Sequence, residues 1–277
     1  MHFSVPGPAW LRWALTRSAM TITISDSFRK RFRHPHVVLP VIHVADEAQA
    51  LRNARLAYEA GADGVFLINH HITWTQLLAI HSSVVATFPD WWLGVNCLDL
   101  DPKAVFSAVT SRVGGVWTDH AMIDEERQEQ PLAEAVSAAR QQSAWQGLYF
   151  GGVAFKYQRQ VDDLRAAGKM ARRYMDVITT SGSGTGIAAH IEKIRVLKEA
   201  VGEFPLAIAS GITPANVKDY LPYSDCYLVA TGISSSFEEL DDQKTRQLIE
   251  TVRAYDQMTE HGQHSSGANA ASPRRSL

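Results

Sequence analysis

The polar residues that follow short apolar runs fall into two chemical groups. His43 closes 37-VVLPVIH-43, and Asn69 closes 64-GVFLIN-69 with His70 and His71 beyond it. Asn96 lies at the end of 91-WWLGVNC-97 with Asp99 after it, Asp119 closes 114-GGVWTD-119 ahead of His120, and Lys156 closes 147-GLYFGGVAFK-156. Imidazole, carboxylate and amine are the groups that move protons, stabilise developing charge or form an imine. The last three runs end instead in small hydroxyl residues and glycine. Ser181, Gly182, Ser183 and Gly184 follow 175-MDVITTS-181, Ser210 and Gly211 close 205-PLAIASG-211, and Thr231 and Gly232 close 226-CYLVATG-232. Glycine lets a backbone approach an anion closely, and exposed amides ahead of a helix hold it. Glycine and serine are also good turn residues, so it is their recurrence after three successive runs that points to phosphate.

These residues need a scaffold that delivers all of them to one place. The eight apolar runs are spaced about 20 to 35 residues apart, and the segments between them have helical periodicity. In 46-DEAQALRNARLAYEAGA-62, Ala50, Ala54, Ala57 and Tyr58 share a stripe with Leu51 at its edge, Asp46 suits an N-cap and Gly61 a stop. In 189-AHIEKIRVLKEAVG-202, Ile191, Ile194, Leu197, Lys198 and Val201 recur at helical spacing, and 241-DDQKTRQLIETVRAY-255 does the same with Leu248, Val252 and Tyr255. Apolar strands alternating with helices predict an α/β fold with a parallel sheet covered by helices. Eight units in residues 36–257 predict a single (β/α)8 TIM barrel, whose functional face is the C-terminal end of the strands. A doubly wound open sheet is the alternative. On the barrel reading, His43, Asn96, Asp119 and Lys156 are the candidate catalytic residues. Asn69, Ser181, Gly182, Ser183, Gly184, Ser210, Gly211, Thr231 and Gly232 are the candidate phosphate-binding residues. His70 and His71 are adjacent, so in an extended segment only one would face the pocket.

The composition narrows the function classes. The net charge of −2 argues against a dedicated nucleic-acid binder. No stretch approaches the roughly 18 apolar residues of a membrane span. Cys97 and Cys226 lie within apolar runs, which fits free thiols and a reducing cytoplasm. Residues 1–35 carry Arg12, Arg17, Arg29, Lys30, Arg31 and Arg33 against Asp26 alone. That basic extension reads as disordered: a transit peptide, a basic arm or an over-extended start with Met20 as the true beginning. Residues 258–277 are small and polar and are expected to be disordered too.

Several chemistries lack their motif. GxxxxGK[ST], GxSxG and HExxH are all absent, and GSGTG does not satisfy GxGxxG. His43, Asp119 and His120 have the right types for a metal but no short-range ligand pair, so neither a metal nor a cofactor is expected.

The C-terminal third carries 180-TSGSGTG-186, 192-EKIRVLKEAV-201, 210-SGITPANVKDYL-221 and 227-YLVATGIS-234 in that order. The amino half adds 41-VIHV-44, 61-GADGVFLIN-69, 94-GVNCL-98, 118-TDHAMID-124 and Lys156. Over residues 37 to 255 the sequence resembles the BtpA family, a branch of the ribulose-phosphate-binding barrels. It departs from the family at the strand-1 loop, at Ile68, at Tyr157 and at Gly152, so the phosphate end is kept better than the reactive end. The resemblance implies a barrel with a phosphosugar- or phosphoribosyl-type ligand. It leaves open isomerase, lyase or aldolase, and phosphoribosyl-transfer chemistry, as well as a non-catalytic binding or assembly role. The partner expected is a phosphorylated small molecule, with self-association left open.

Overall fold

The computed structural model describes residues 23–267. Its eight strands are β1 (Val37–Val44), β2 (Gly64–Asn69), β3 (Trp92–Asn96), β4 (Gly115–Thr118), β5 (Leu148–Gly152), β6 (Val177–Thr180), β7 (Leu206–Ala209) and β8 (Cys226–Val229). All neighbours are parallel, and β8 pairs with β1 to close the barrel. The helices are α1 (Thr23–Arg31), α2 (Glu47–Glu59), α3 (Trp74–Thr87), α4 (Val105–Ala108), α5 (Pro131–Ser143), α6 (Leu164–Ala171), α7 (Ile191–Val201), α8 (Val217–Tyr220) and α9 (Asp242–Gly267). The (β/α)8 expectation holds and the open sheet is excluded.

Period-2 alternation sorts each strand into two faces. Val37, Leu39 and Val41, Phe66 and Ile68, Trp92, Trp117, Leu148 and Phe150 fill the barrel interior. The alternate residues, such as Val38, Leu67, Val95 and Val116, pack under the helices. The interior is unusually aromatic. Phe66 meets Trp92, Trp117 and Phe150 edge-on at 5.1, 5.7 and 5.1 Å. Room for the Trp92 indole comes from Gly115, where an added Cβ would sit 2.4 Å from the ring.

The basic extension needs correcting. Helix α1 closes the N-terminal end of the barrel: Phe28 and Phe32 are buried, with Phe28 edge-on to Phe150 and Phe32 edge-on to Trp92. Residues 23–35 therefore include part of the barrel's plug, and residues 1–22 lie outside the described residues. The expected start of the disordered tail also shifts, because α9 continues to Gly267; residues 268–277 lie outside the described residues.

The helix caps follow the sequence. Asp46 accepts from the Gln49 amide, and Gly61 and Gly202 end their helices at φ +84° and +62°. Ala50, Ala54 and Ala57 are buried as expected, whereas Tyr58 lies half outside, edged by Trp91. The expected stretch 147–156 overruns β5, which stops at Gly152. Ala154 at φ +49° and Tyr157 at φ +60° turn the chain across the mouth, so Lys156 stands on a loop rather than on the strand.

Candidate functional site

The strand parity that fills the interior also decides which polar residues reach the mouth. His43 continues the inward series Val37, Leu39, Val41; Asn96 continues Trp92 and Gly94; and Asp119 continues Gly115 and Trp117. Asn69 follows inward-facing Ile68 and so points outward, toward the helices. There its amide donates to Ile72 O and Asp99 Oδ1 and accepts from the Leu98 amide. Asn69 is thus a brace for the β2 and β3 loops, and the structure does not bring it to the loops after β6 to β8 that carry the other expected phosphate-binding residues.

The reactive half gathers around two pairs. Asn96 Nδ2 donates to Asp119 Oδ1 at 2.9 Å. Burial raises the Asp119 carboxyl above its ordinary range, opposed by the Asn96 hydrogen bond and the Lys156 charge. His43 donates from Nδ1 to Phe237 O at 2.9 Å. Burial, with the neighbouring His70 next in weight, lowers its pKa to about 4. His43 is therefore neutral at physiological pH and, with Nδ1 carrying the proton, presents Nε2 as an acceptor. Its ring lies 4.8 Å from His70 and 4.2 Å from Phe237. His71 also comes within 6.4 Å of Phe237, so both histidines flank this corner; the chain bends after Asn69 and the extended alternation no longer applies.

The other half of the mouth is built from interlocked loops. Lys156 Nζ donates to Thr185 Oγ1 at 3.2 Å and to Ser210 Oγ at 3.4 Å, and its backbone N–H donates to Ser181 Oγ. Among the described residues Lys156 has no carboxylate partner. Ser210 at φ +82° and Gly211 at φ +75° turn the β7 loop inward. A Cβ on Gly211 would meet Ala188 at 2.2 Å, and one on Gly232 would meet Ile212 O at 1.9 Å. These glycines let the β6, β7 and β8 loops press against each other. The amides of Gly211 and Gly232 make no hydrogen bond to the described residues. Of the expected phosphate residues, Ser181, Gly182, Gly184 and Gly211 are buried in the loop packing, Ser210 and Gly232 are partly exposed, and Ser183 and Thr231 are exposed.

Three contributors escaped sequence reasoning. Lys193, in the first turn of α7, donates to Ala154 O and Ser181 O at 2.5 and 2.6 Å, and burial lowers its pKa to about 8. It pins the strained loop that carries Lys156 to the end of β6. Gln158 bonds to Asp119 O and to the Phe155 amide, tying the acid's loop to that same segment. Their acceptors are backbone carbonyls on the loops after β4, β5 and β6, which no local pattern announces. The third contributor is Phe237, on the loop between the 3-10 turn Thr231–Ile233 and α9.

Comparison with known structures supplies the wider setting. Tryptophan synthase from Mycobacterium tuberculosis aligns at TM-score 0.60 and 14% identity, over 84% of this chain and 98% of that one. (S)-3-O-geranylgeranylglyceryl phosphate synthase from Thermoplasma acidophilum, in complex with substrate sn-glycerol-1-phosphate, aligns at 0.59 and 15%, over 83% and 98%. Phosphoribosyl anthranilate isomerase from Thermus thermophilus aligns at 0.55 and 17%, over 79% and 99%. The chain shares their fold. At such identities the likeness establishes architecture alone. No protein-family profile matches the chain, and no curated protein matches it in sequence. Among the described residues no cluster of metal-ligating side chains occurs, and no helix is long and apolar enough to cross a membrane.

Proposed function

We propose that the protein is a BtpA-like, cytoplasmic barrel enzyme acting on a phosphorylated sugar or phosphoribosyl-type compound. The observation that carries the proposal is Lys156. A cation with no carboxylate partner among the described residues, set against the Thr185 and Ser210 hydroxyls next to the turn at Gly211, is suited to holding an anion. The neighbours named for phosphorylated substrates support the same ligand class.

In this reading the phosphate lies over the β6 to β8 loops and the rest of the ligand extends toward Asp119 and His43. Asp119, steered by the Asn96 amide, takes or gives the proton. Its raised pKa brings it closer to the operating range of a general acid or base. His43 Nε2 accepts from a ligand hydroxyl or amine. Lys156 balances the phosphate charge, and Lys193 and Gln158 hold its loop. The arrangement suits proton transfer on a phosphosugar; an imine to Lys156 would make it an aldolase.

A thermal-shift screen of phosphosugars, phosphoribosyl compounds and nucleotides tests the ligand class. A ligand at about 100 times its Kd stabilises by roughly 2.7 kcal/mol. Lys156→Ala should weaken phosphate-compound binding about 10- to 100-fold, the worth of a hydrogen bond to a charged group. A screen in which no phosphorylated compound shifts the melt would overturn the proposal. Asp119→Asn should abolish turnover and leave binding intact. If turnover survives, the acid–base role fails. If the native protein binds and turns nothing over, the protein is a phospholigand-binding factor.

A further inference from the structure

The corner between the end of β1 and the β8 loop holds a cavity of about 290 Å³, lined by His43, Thr231, Ser234, Ser235, Ser236 and Phe237. It adjoins the phosphate loops directly, because Thr231 lines it and also packs against Gly186 of the β6 loop. Its three serines are engaged with backbone groups. Ser234 Oγ donates to Ala230 O, Ser235 Oγ to Glu239 O, and Ser236 Oγ accepts from the Glu239 amide. These hydroxyls stabilise the turn that presents Phe237. The surfaces left for a ligand are the Thr231 hydroxyl on the side of the phosphate loops, the ring of Phe237, which is 46% exposed, and the imidazole of His43 beside it.

That wall is rigid. The loop from Ser234 to Leu240 closes through a bridge between those two residues. Two buried amides of α2 fasten it: Gln49 Nε2 donates to Glu238 O at 2.5 Å, and Asn53 donates to Glu238 O while accepting from the Leu240 amide. Phe237 O is fixed by His43 Nδ1. An aromatic ring held at a pocket edge by buried amides is preorganised, so contact with it has little ordering cost.

We infer that this cavity is a second subsite, receiving a planar, ring-bearing part of the phosphorylated ligand against Phe237 and His43, with a donor of that group directed to His43 Nε2. The inference rests on the phosphate reading above and narrows it from phosphosugars in general to phosphate esters that carry a ring. The size agrees: about 290 Å³ is at the small end of ligand pockets, room for one ring rather than an extended chain.

Three probes separate the two readings by calorimetry on the full chain: inorganic phosphate, sn-glycerol 3-phosphate and phenyl phosphate. The native protein should bind all three, phenyl phosphate about three- to tenfold tighter than glycerol phosphate, the increment of an aromatic contact. Phe237→Ala should erase that advantage and leave inorganic phosphate unchanged, and Phe237→Leu, which keeps apolar bulk in the loop, should retain only part of it. Equal affinity for the two esters, or an advantage that survives Phe237→Ala, overturns the subsite while the phosphate site stands. If none of the three binds, the phosphate reading fails and the subsite with it.

Discussion

At the N-terminal end of the barrel three aspartates stand directly before a strand, and each is paired at least twice over. Asp63 accepts from the Val38 amide of β1 and from Arg253, Asp176 from the Tyr149 amide of β5 and from Arg140, and Asp225 from the Leu206 amide of β7 and from Lys198. Each precedes an even-numbered strand and stitches it to the strand before. The remaining even strand, β4, has Gly114 in the same place, keeping only the backbone bond to Leu93 O. At the other end Lys156 has hydroxyls instead of a carboxylate, Asp119 has a neutral amide instead of a cation, and His43 has a carbonyl. The same fold thus places matched charges at the N-terminal end and gives the charged groups at the mouth neutral hydrogen-bond partners. A barrel of this type separates stability from function along its axis.

Breaking the paired end should give the largest effect. Asp176→Ala strips Arg140 and the Tyr149 amide of their common acceptor in a buried setting, which costs about 3 to 5 kcal/mol. For a chain of this size that is a fall in Tm on the order of 10 °C. Phosphate affinity in the surviving folded fraction should not change. A variant that melts normally yet loses ligand binding would invert the contrast between the two ends.

A smaller effect should come from Lys193, which couples structure to site. It touches no ligand in the proposed pose, but it holds Ala154 O and Ser181 O at the base of the Lys156 loop. Lys193→Ala should weaken inorganic phosphate binding about three- to tenfold, a modest share of what a misplaced contact can cost. Lys193→Arg, which keeps a cation and donors, should recover part of it. If stability falls while affinity is untouched, Lys193 belongs with the paired aspartates as a purely structural tie.

The contrast was unevenly legible in the sequence. Strand count and order followed from apolar runs, and the tendency of each strand to end in a polar or small residue located the mouth. Strand parity was also there to be used: Ile68 pointing inward means Asn69 points out, which removes it from the phosphate set. The repeated aspartate before 64-GVFLIN-69, 177-VITT-180 and 226-CYLV-229 is a visible pattern whose meaning appears only when the neighbouring strand supplies the amide. The plug of Phe28 and Phe32 was hidden by the arginines and lysine around it, since burial of two rings outweighs the charge of exposed neighbours. Phe237 and Lys193 act across 194 and 39 residues of chain, on His43 and Ala154, and no local periodicity encodes such a contact.

The smallest prediction is the sharpest about the mouth, because it is a change of sign. Burial raises the Asp119 carboxyl above its ordinary range, with Asn96 and Lys156 only partly offsetting it. Between the ordinary and the raised value the folded protein keeps a proton that the unfolded chain has lost. Stability therefore falls as pH rises through that window, and the loss persists at neutral pH. Asp119→Asn keeps the shape and still accepts from Asn96, but removes the buried charge. It should raise Tm at about pH 7 and bring little gain near pH 3, where the carboxyl is protonated in both states. Melting curves at the two pH values decide it. A lower Tm at neutral pH would mean that Asp119 is held by a favourable charge pairing like Asp176, and that the mouth is no different in kind from the opposite end.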